Sequence, residues 1–234
     1  MSQLFASLFP SRLNPSALLH GIAVAALLLT APANMRAQFA APPRGTQVHD
    51  PAALKPPAGA RVAIVEFEDM ECPDCARANP LVREAAANYK IPLVRHDFPL
   101  PFHNWSMQAA INARWFDTKS KKIGDDYRDA VFASQISIVD LNGLRQFTEK
   151  FAADHQLAMP FAVDPQGKLQ ALVKADYALG QRIGIEHTPT IWVVTAHSKG
   201  APFVEVLDRS KLYQMIDQAL EDTKGAESVK TAHK

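Results

Sequence analysis

The only two cysteines of this 234-residue chain stand three positions apart in Cys72-Pro73-Asp74-Cys75. At the start of a helix, thiols at that spacing face one another across one turn. They can make and break a disulfide with no other thiol to interfere. The first occupies the end where backbone N–H groups are unpaired and the helix dipole is positive, which favours a thiolate. The second is set deeper. Cys72 is therefore the sulfur expected to attack, or be attacked by, a substrate sulfur, and Cys75 the one that resolves the mixed disulfide. A structural staple is a poor use of the pair, because so short a loop removes little unfolded-state entropy. A structural zinc site normally takes four ligands, and His96, His103 and His187 have no tight ligand spacing to one another. Redox chemistry needs only the residues present, no dissociable cofactor and no metal. Sequestration of copper or zinc by the two thiolates is the non-enzyme alternative.

Strands and a helix must hold the pair in place. Val62-Ala63-Ile64-Val65 is apolar at successive positions, as in a strand covered on both faces. A helix follows over residues 73–89 on the stripe Leu81, Val82, Ala85, Ala86 and Tyr89, with Pro80 expected to kink it. Residues 91–98 give a second strand, so the chain opens as a β-α-β unit with parallel strands and a right-handed crossover. The pattern is then helical. Ala110, Ile111, Arg114 and Trp115 share one face, and Leu141, Leu144, Phe147 and Phe151 share another. Asp164-Pro165 reads as the cap and first position of a further helix ended by Gly180 or Gly184. Strand signals return at residues 190–194 and 202–207, with a turn at Lys199-Gly200. A last helix uses Leu212, Met215, Ile216, Ala219 and Leu220.

The remainder of the chain frames this domain. Residues 1–33 have the form of an export signal: Arg12, an apolar run over residues 17–30, and Ala31-Pro32-Ala33 as a cleavage site. An uncleaved anchor is the alternative, but the run is short of the ~20 residues of a span. Export implies a periplasmic or other extracytoplasmic, oxidising compartment. Residues 34–59, rich in Ala and Pro, read as a flexible lead-in, residues 60–222 as the domain, and residues 223–234 as a disordered tail. A net charge of +1 without a basic stripe argues against nucleic acid as a partner.

With these elements in place, the chain resembles the DsbA-like thiol–disulfide oxidoreductases of the thioredoxin superfamily. The matching residues are Val65-Glu66-Phe67, Cys72-Pro73-Asp74-Cys75, the strand ending Asp97-Phe98-Pro99-Leu100, and His187-Thr188-Pro189-Thr190 before a late strand. The resemblance implies an α/β thioredoxin fold with a helical insertion at about residues 104–184. It implies that Pro189 is cis and that Thr188 and Pro189 shape a groove where an extended substrate pairs strand to strand beside Cys72. It also implies that Glu66 lies beneath the cysteines and helps move the proton of the resolving thiol. Alternation puts Glu66 on the face of Val62 and Ile64, where burial would raise its pKa. The expected partners are cysteine-containing exported proteins and a membrane redox partner that recycles the pair. Oxidase, reductase and isomerase share such a site, and the redox partner decides among them.

One departure from the type concerns electrostatics. Strongly oxidising DsbA proteins carry Pro-His between the cysteines, whereas this chain carries Pro73-Asp74, preceded by Glu68, Asp69 and Glu71. Like charge disfavours a thiolate, and each pKa unit is ~1.4 kcal/mol against the ~0.3–1 kcal/mol of a helix dipole. The expectation is a less acidic Cys72 and a less oxidising protein. A second question is the segment Phe98-Pro99-Leu100-Pro101-Phe102, readable either as an apolar surface for unfolded chains or as buried connection.

Overall fold

The computed structural model describes residues 45–196 and 198–224. The export signal, the first part of the lead-in and most of the tail lie outside the described residues. Four strands form one sheet in the order β2-β1-β3-β4: β1 (Val62–Glu68), β2 (Leu93–Asp97), β3 (Thr190–Thr195) and β4 (Phe203–Glu205). β1 is parallel to β2 and antiparallel to β3, and β4 is antiparallel to β3. The helices are α1 (Pro73–Tyr89), α2 (Ser106–Asp117), α3 (Lys121–Ser134), α4 (Leu141–Asp154), α5 (Lys168–Ile183) and α6 (Leu212–Asp222). This is the thioredoxin arrangement, with α2 to α5 inserted between β2 and β3.

Every residue of β1 is buried, because helices cover both faces of the sheet. Val62 and Ile64 pack against α1 and α6. Ala63, Val65 and Phe67 point the other way, onto Phe98, Ile183 and Trp192. Gly180 lets α5 approach that second face: a Cβ there would lie 2.6 Å from the Phe98 ring. The insertion has its own core of Trp105, Phe116, Tyr127, Leu144 and Phe151, and both cysteines pack into it. The active-site turn is thus wedged between sheet and insertion.

α1 spans the residues expected of it, with Pro80 inside. Other sequence expectations shift. The helix expected to start at Pro165 starts at Lys168 instead. Gly167, at φ 68°, is its cap, and Asp164 reaches forward to accept from the Gln170 N–H at 2.8 Å. Gly184, at φ 104°, ends it, a conformation glycine adopts without strain. β2 and β4 are shorter than the runs that suggest them. Within the lead-in, Thr46, His49 and Leu54 make specific contacts with the domain. Thr46 donates through its N–H and hydroxyl to Glu205 at 2.6 and 2.9 Å. The His49 N–H bonds the Ile183 carbonyl, and Leu54 is buried against the sheet. The Pro- and Ala-rich composition hides these anchors, which are contacts to distant residues.

Candidate active site

The redox candidates come together where β1 ends, α1 begins and β3 approaches. Cys72 caps α1 in an extended conformation, Pro73 is the first helical residue, and Cys75 lies in the first turn. Pro at that position has no N–H to leave unpaired and is pre-set in φ. Both cysteines are free thiols and buried. The Cys72 Sγ lies 3.3 Å from the carbonyl oxygen of Thr188, and the Thr188–Pro189 peptide is cis. The Asp69 N–H donates to the Cys75 Sγ at 3.4 Å.

These contacts separate the two thiols electrically. Cys72 is drawn down from an ordinary 9.0 to about 5, first by a hydrogen bond from Cys75. Burial opposes the shift, and hydrogen bonds from Thr188 and from the backbone N–H groups of Cys75 and Asp74 add to it. Cys75 moves the opposite way, well above its ordinary range. Burial is the main cause, followed by its bond to Cys72 and the charges of Cys72 and Glu66. One sulfur is therefore held as a thiolate at neutral pH and the other as a thiol.

Glu66 is fully buried on the face of Val62 and Ile64. Desolvation, then the neighbouring Glu68, pushes its carboxyl up to about 8 against the pull of Arg95 and Arg209. Its Oε2 has no hydrogen-bond partner. This carboxyl lies near enough to Cys75 for its charge to raise the pKa of that thiol.

The acids preceding Cys72 do not act as a repelling cluster. Glu68 is buried beside Arg95, Nε at 3.5 Å, and Arg128, Nε at 3.6 Å. Asp69 accepts from the Leu100 N–H at 2.6 Å, contacts His103 Nδ1 at 2.7 Å, and also binds the Ser106 hydroxyl. Glu71 accepts from the Trp105 and Ser106 N–H groups at 2.7 and 2.9 Å, capping α2. An anion there also meets the positive end of the helix. Asp74 binds Arg209 at 2.7 Å and Arg77 at 3.1 Å. The acidic-cluster premise of the expected loss of acidity at Cys72 is what fails: each carboxylate has its own counter-charge or N–H donors.

The sequence did not point to two further residues at the site. Gln135, after α3, donates through Nε2 to the carbonyls of Met70 at 2.8 Å and Cys72 at 3.1 Å. Arg209 reaches Asp74 from the turn before α6. Only long-range contact reveals either. The segment after β2 divides: Phe98 is buried, stacked on Tyr177 at a centroid distance of 4.5 Å, while Phe102 is 73% exposed. Among the described residues no group of three His, Cys, Asp or Glu side chains is placed to hold a metal ion.

A family model described as Thioredoxin matches residues 58–209. No curated protein sequence matches the chain. Among solved structures, Wolbachia pipientis alpha-DsbA1 is similar at a TM-score of 0.56 and 18% identity, over 76% of this chain and 92% of that one. Pseudomonas aeruginosa DsbA2 gives 0.53 and 21%, over 73% and 94%. A periplasmic thioredoxin-like protein from Salmonella enterica serovar Typhimurium gives 0.55 and 16%, over 73% and 95%. At these identities the likeness is one of fold.

Proposed function

The chain belongs to the thioredoxin family, and on that premise we propose that it is an exported thiol–disulfide oxidoreductase acting on protein thiols through Cys72 and Cys75. The observation that carries the proposal is the placement of two free thiols at the start of α1, with the Cys72 Sγ 3.3 Å from the Thr188 carbonyl beside the cis Thr188–Pro189 bond and Cys75 buried in the first turn. This placement sets one thiol acidic and the other resistant to ionisation. A merely structural pair has no need of such a division.

In the oxidising direction a substrate thiolate attacks the Cys72 sulfur of the Cys72–Cys75 disulfide. The intramolecular S–S bond breaks, Cys75 leaves as a thiolate, and neutral Glu66 supplies its proton. A second substrate thiolate then attacks the substrate sulfur of the mixed disulfide and expels Cys72, which departs readily because its thiolate is stabilised. Two electrons pass from substrate to enzyme and the substrate gains one disulfide. The reducing direction reverses each step, with Glu66 accepting the Cys75 proton. Thr188 and Pro189 border the attacking sulfur, where an extended substrate pairs with backbone. Two exposed apolar side chains suit a protein substrate: Phe102, and Ile136 at 93% exposure beside Gln135.

A Cys72 pKa of about 5 falls between the ~7 of thioredoxin and the ~3.5 of DsbA. We place the potential between their values of about −270 and −120 mV, less oxidising than DsbA, although not through the acid cluster that the sequence suggests. The export signal read over residues 1–33 supports an extracytoplasmic site of action, with exported cysteine-containing proteins as substrates and a membrane redox partner to recycle the pair.

Trapping tests this. Cys75→Ser, expressed with its leader in the native compartment, should hold substrates and the recycling partner as mixed disulfides on Cys72, released by reductant. An empty trap, with wild type unable to exchange disulfides with a dithiol peptide, defeats the proposal.

A further inference from the structure

We propose that Arg209 is a positioning residue that cancels the Asp74 charge at the mouth of the dithiol and so sets how readily Cys72 holds its sulfur as a thiolate. The inference rests on the dithiol reading above and extends it to a residue 135 positions from the motif.

The geometry is that of a built clasp. Arg209 Nη2 donates to Asp74 Oδ1 at 2.7 Å, and Nη1 donates to the Asp74 carbonyl oxygen at 3.2 Å. One guanidinium therefore fixes both the side chain and the backbone of the residue between the cysteines. Arginine suits this role because its donors form a rigid fork that lysine lacks. The turn Arg209–Lys211 that presents it is itself fixed. Asp208 accepts from the Ser210 N–H at 3.0 Å and the Ser210 hydroxyl at 2.6 Å. Before the turn the Val206 N–H bonds the Ile191 carbonyl at 2.8 Å, and after it Leu212 is buried.

Electrostatics give the clasp a consequence. An uncompensated carboxylate two residues from a thiolate disfavours it. Here Asp74 reaches Cys72 through its backbone N–H, a favourable contact, while its carboxylate faces two arginines. Arg77 is the weaker partner, 67% exposed against 35% for Arg209. The Arg209 charge also reaches Glu66 and favours its ionised form. One cation thus touches both the attacking sulfur's neighbourhood and the proton acceptor behind it.

The experiment is a charge cycle on the reduced full-length protein, with the Cys72 thiolate followed by its ultraviolet absorbance against pH. Arg209→Met should raise the midpoint by about half a unit, roughly the influence of one partly exposed charge near the thiol. Asp74→Asn should lower it by a similar amount, and the double variant should return near wild type. Arg209→Lys should stay close to wild type. A structural clasp alone would move the melting temperature and leave the thiolate midpoint unchanged. An Arg209→Met midpoint equal to wild type, or a rise that persists when Asp74→Asn is also present, overturns the inference. If Arg209→Met does not fold, Asp74→Asn decides: an unchanged or raised midpoint overturns it. A wild type with no titration that Cys72→Ser removes, and no disulfide exchange, defeats the dithiol reading and takes this inference with it. Normal exchange with an indifferent Arg209→Met defeats this inference alone.

Discussion

The Cys72 sulfur lies 3.3 Å from the Thr188 carbonyl, a contact between residues 116 positions apart that joins the start of α1 to the approach of β3. Thr188 offers this sulfur two groups. Its carbonyl accepts from the thiol, and its side chain favours the thiolate through a buried hydroxyl that has no other use, being without a hydrogen-bond partner while the sulfur is protonated. Thr188→Val keeps the shape and the carbonyl but removes the hydroxyl. We expect the Cys72 midpoint to rise by about one unit, the usual worth of a hydrogen bond to a charged acceptor, with a more reducing potential. An absorbance titration and a glutathione equilibrium measure the two together. An unchanged midpoint would mean that Cys75 and the backbone carry the stabilisation.

Stability should depend on pH differently in the two redox forms. Cys72 ionises near 5 in the folded reduced protein against an ordinary 9.0. Between those values the unfolded chain holds a proton that the folded one has lost. The reduced form therefore gains stability as pH rises through this window, and the gain disappears as pH falls through about 5. Cys75 enters only above its ordinary 9.0. Glu66 has the opposite sign: held up to about 8 from 4.5, it weakens the fold as pH rises between them. It does so in both redox forms and largely cancels in their difference. Denaturant unfolding of reduced and oxidised protein at pH 4.5 and pH 7.5 should show the difference moving toward the reduced form at the higher pH. A flat difference contradicts a thiolate-stabilised Cys72.

Glu66→Gln separates proton transfer from packing. The amide is nearly isosteric, is neutral at all pH values, and cannot exchange the proton of Cys75. Steps that form or discharge the Cys75 thiolate should slow at least about tenfold, and the inflection near pH 8 in their rates should vanish. Folding should strengthen by about 1 kcal/mol or more above pH 8, because a buried carboxylate oxygen without a partner is replaced by an uncharged group. Faster unfolding with unchanged exchange rates would instead mark Glu66 as structural.

Much of this was legible in the sequence because it depends on local pattern. The apolar run of β1, the helix stripe after Cys75 and the Thr188-Pro189 pair before β3 each carry their own periodicity or backbone constraint. The placement of Glu66 on the Val62 face follows from alternation alone. What stayed hidden depends on where long side chains go. Adjacency made Glu68, Asp69, Glu71 and Asp74 look like one negative field. Folding turns Glu71 to the α2 terminus and Asp74 to Arg209, contacts spanning 34 and 135 positions. The apolar stripe of α3 is also masked, because its buried face mixes Tyr127, Val131 and Phe132 with Gly124 and Arg128.

Arg128 is where the insertion is bolted to the sheet. It rises from α3 fully buried, donates to both Asp117 oxygens at 3.0 and 2.9 Å, and lies 3.6 Å from Glu68 and 4.0 Å from Asp97. Those last two acids sit at paired positions on β1 and β2. Burial pushes the Glu68 carboxyl upward while Arg95 and Arg128 pull it back. Arg128→Met fills similar volume but leaves these carboxylates with Arg95 and Arg114 alone. Breaking one side of a buried ionic cluster costs about 3–5 kcal/mol, so urea unfolding should show a loss of that order. Glu68→Gln added to it should recover part of the loss by removing the charge left behind. If the two losses simply add, the pair is not coupled, and Arg128 acts through Asp117 and packing instead.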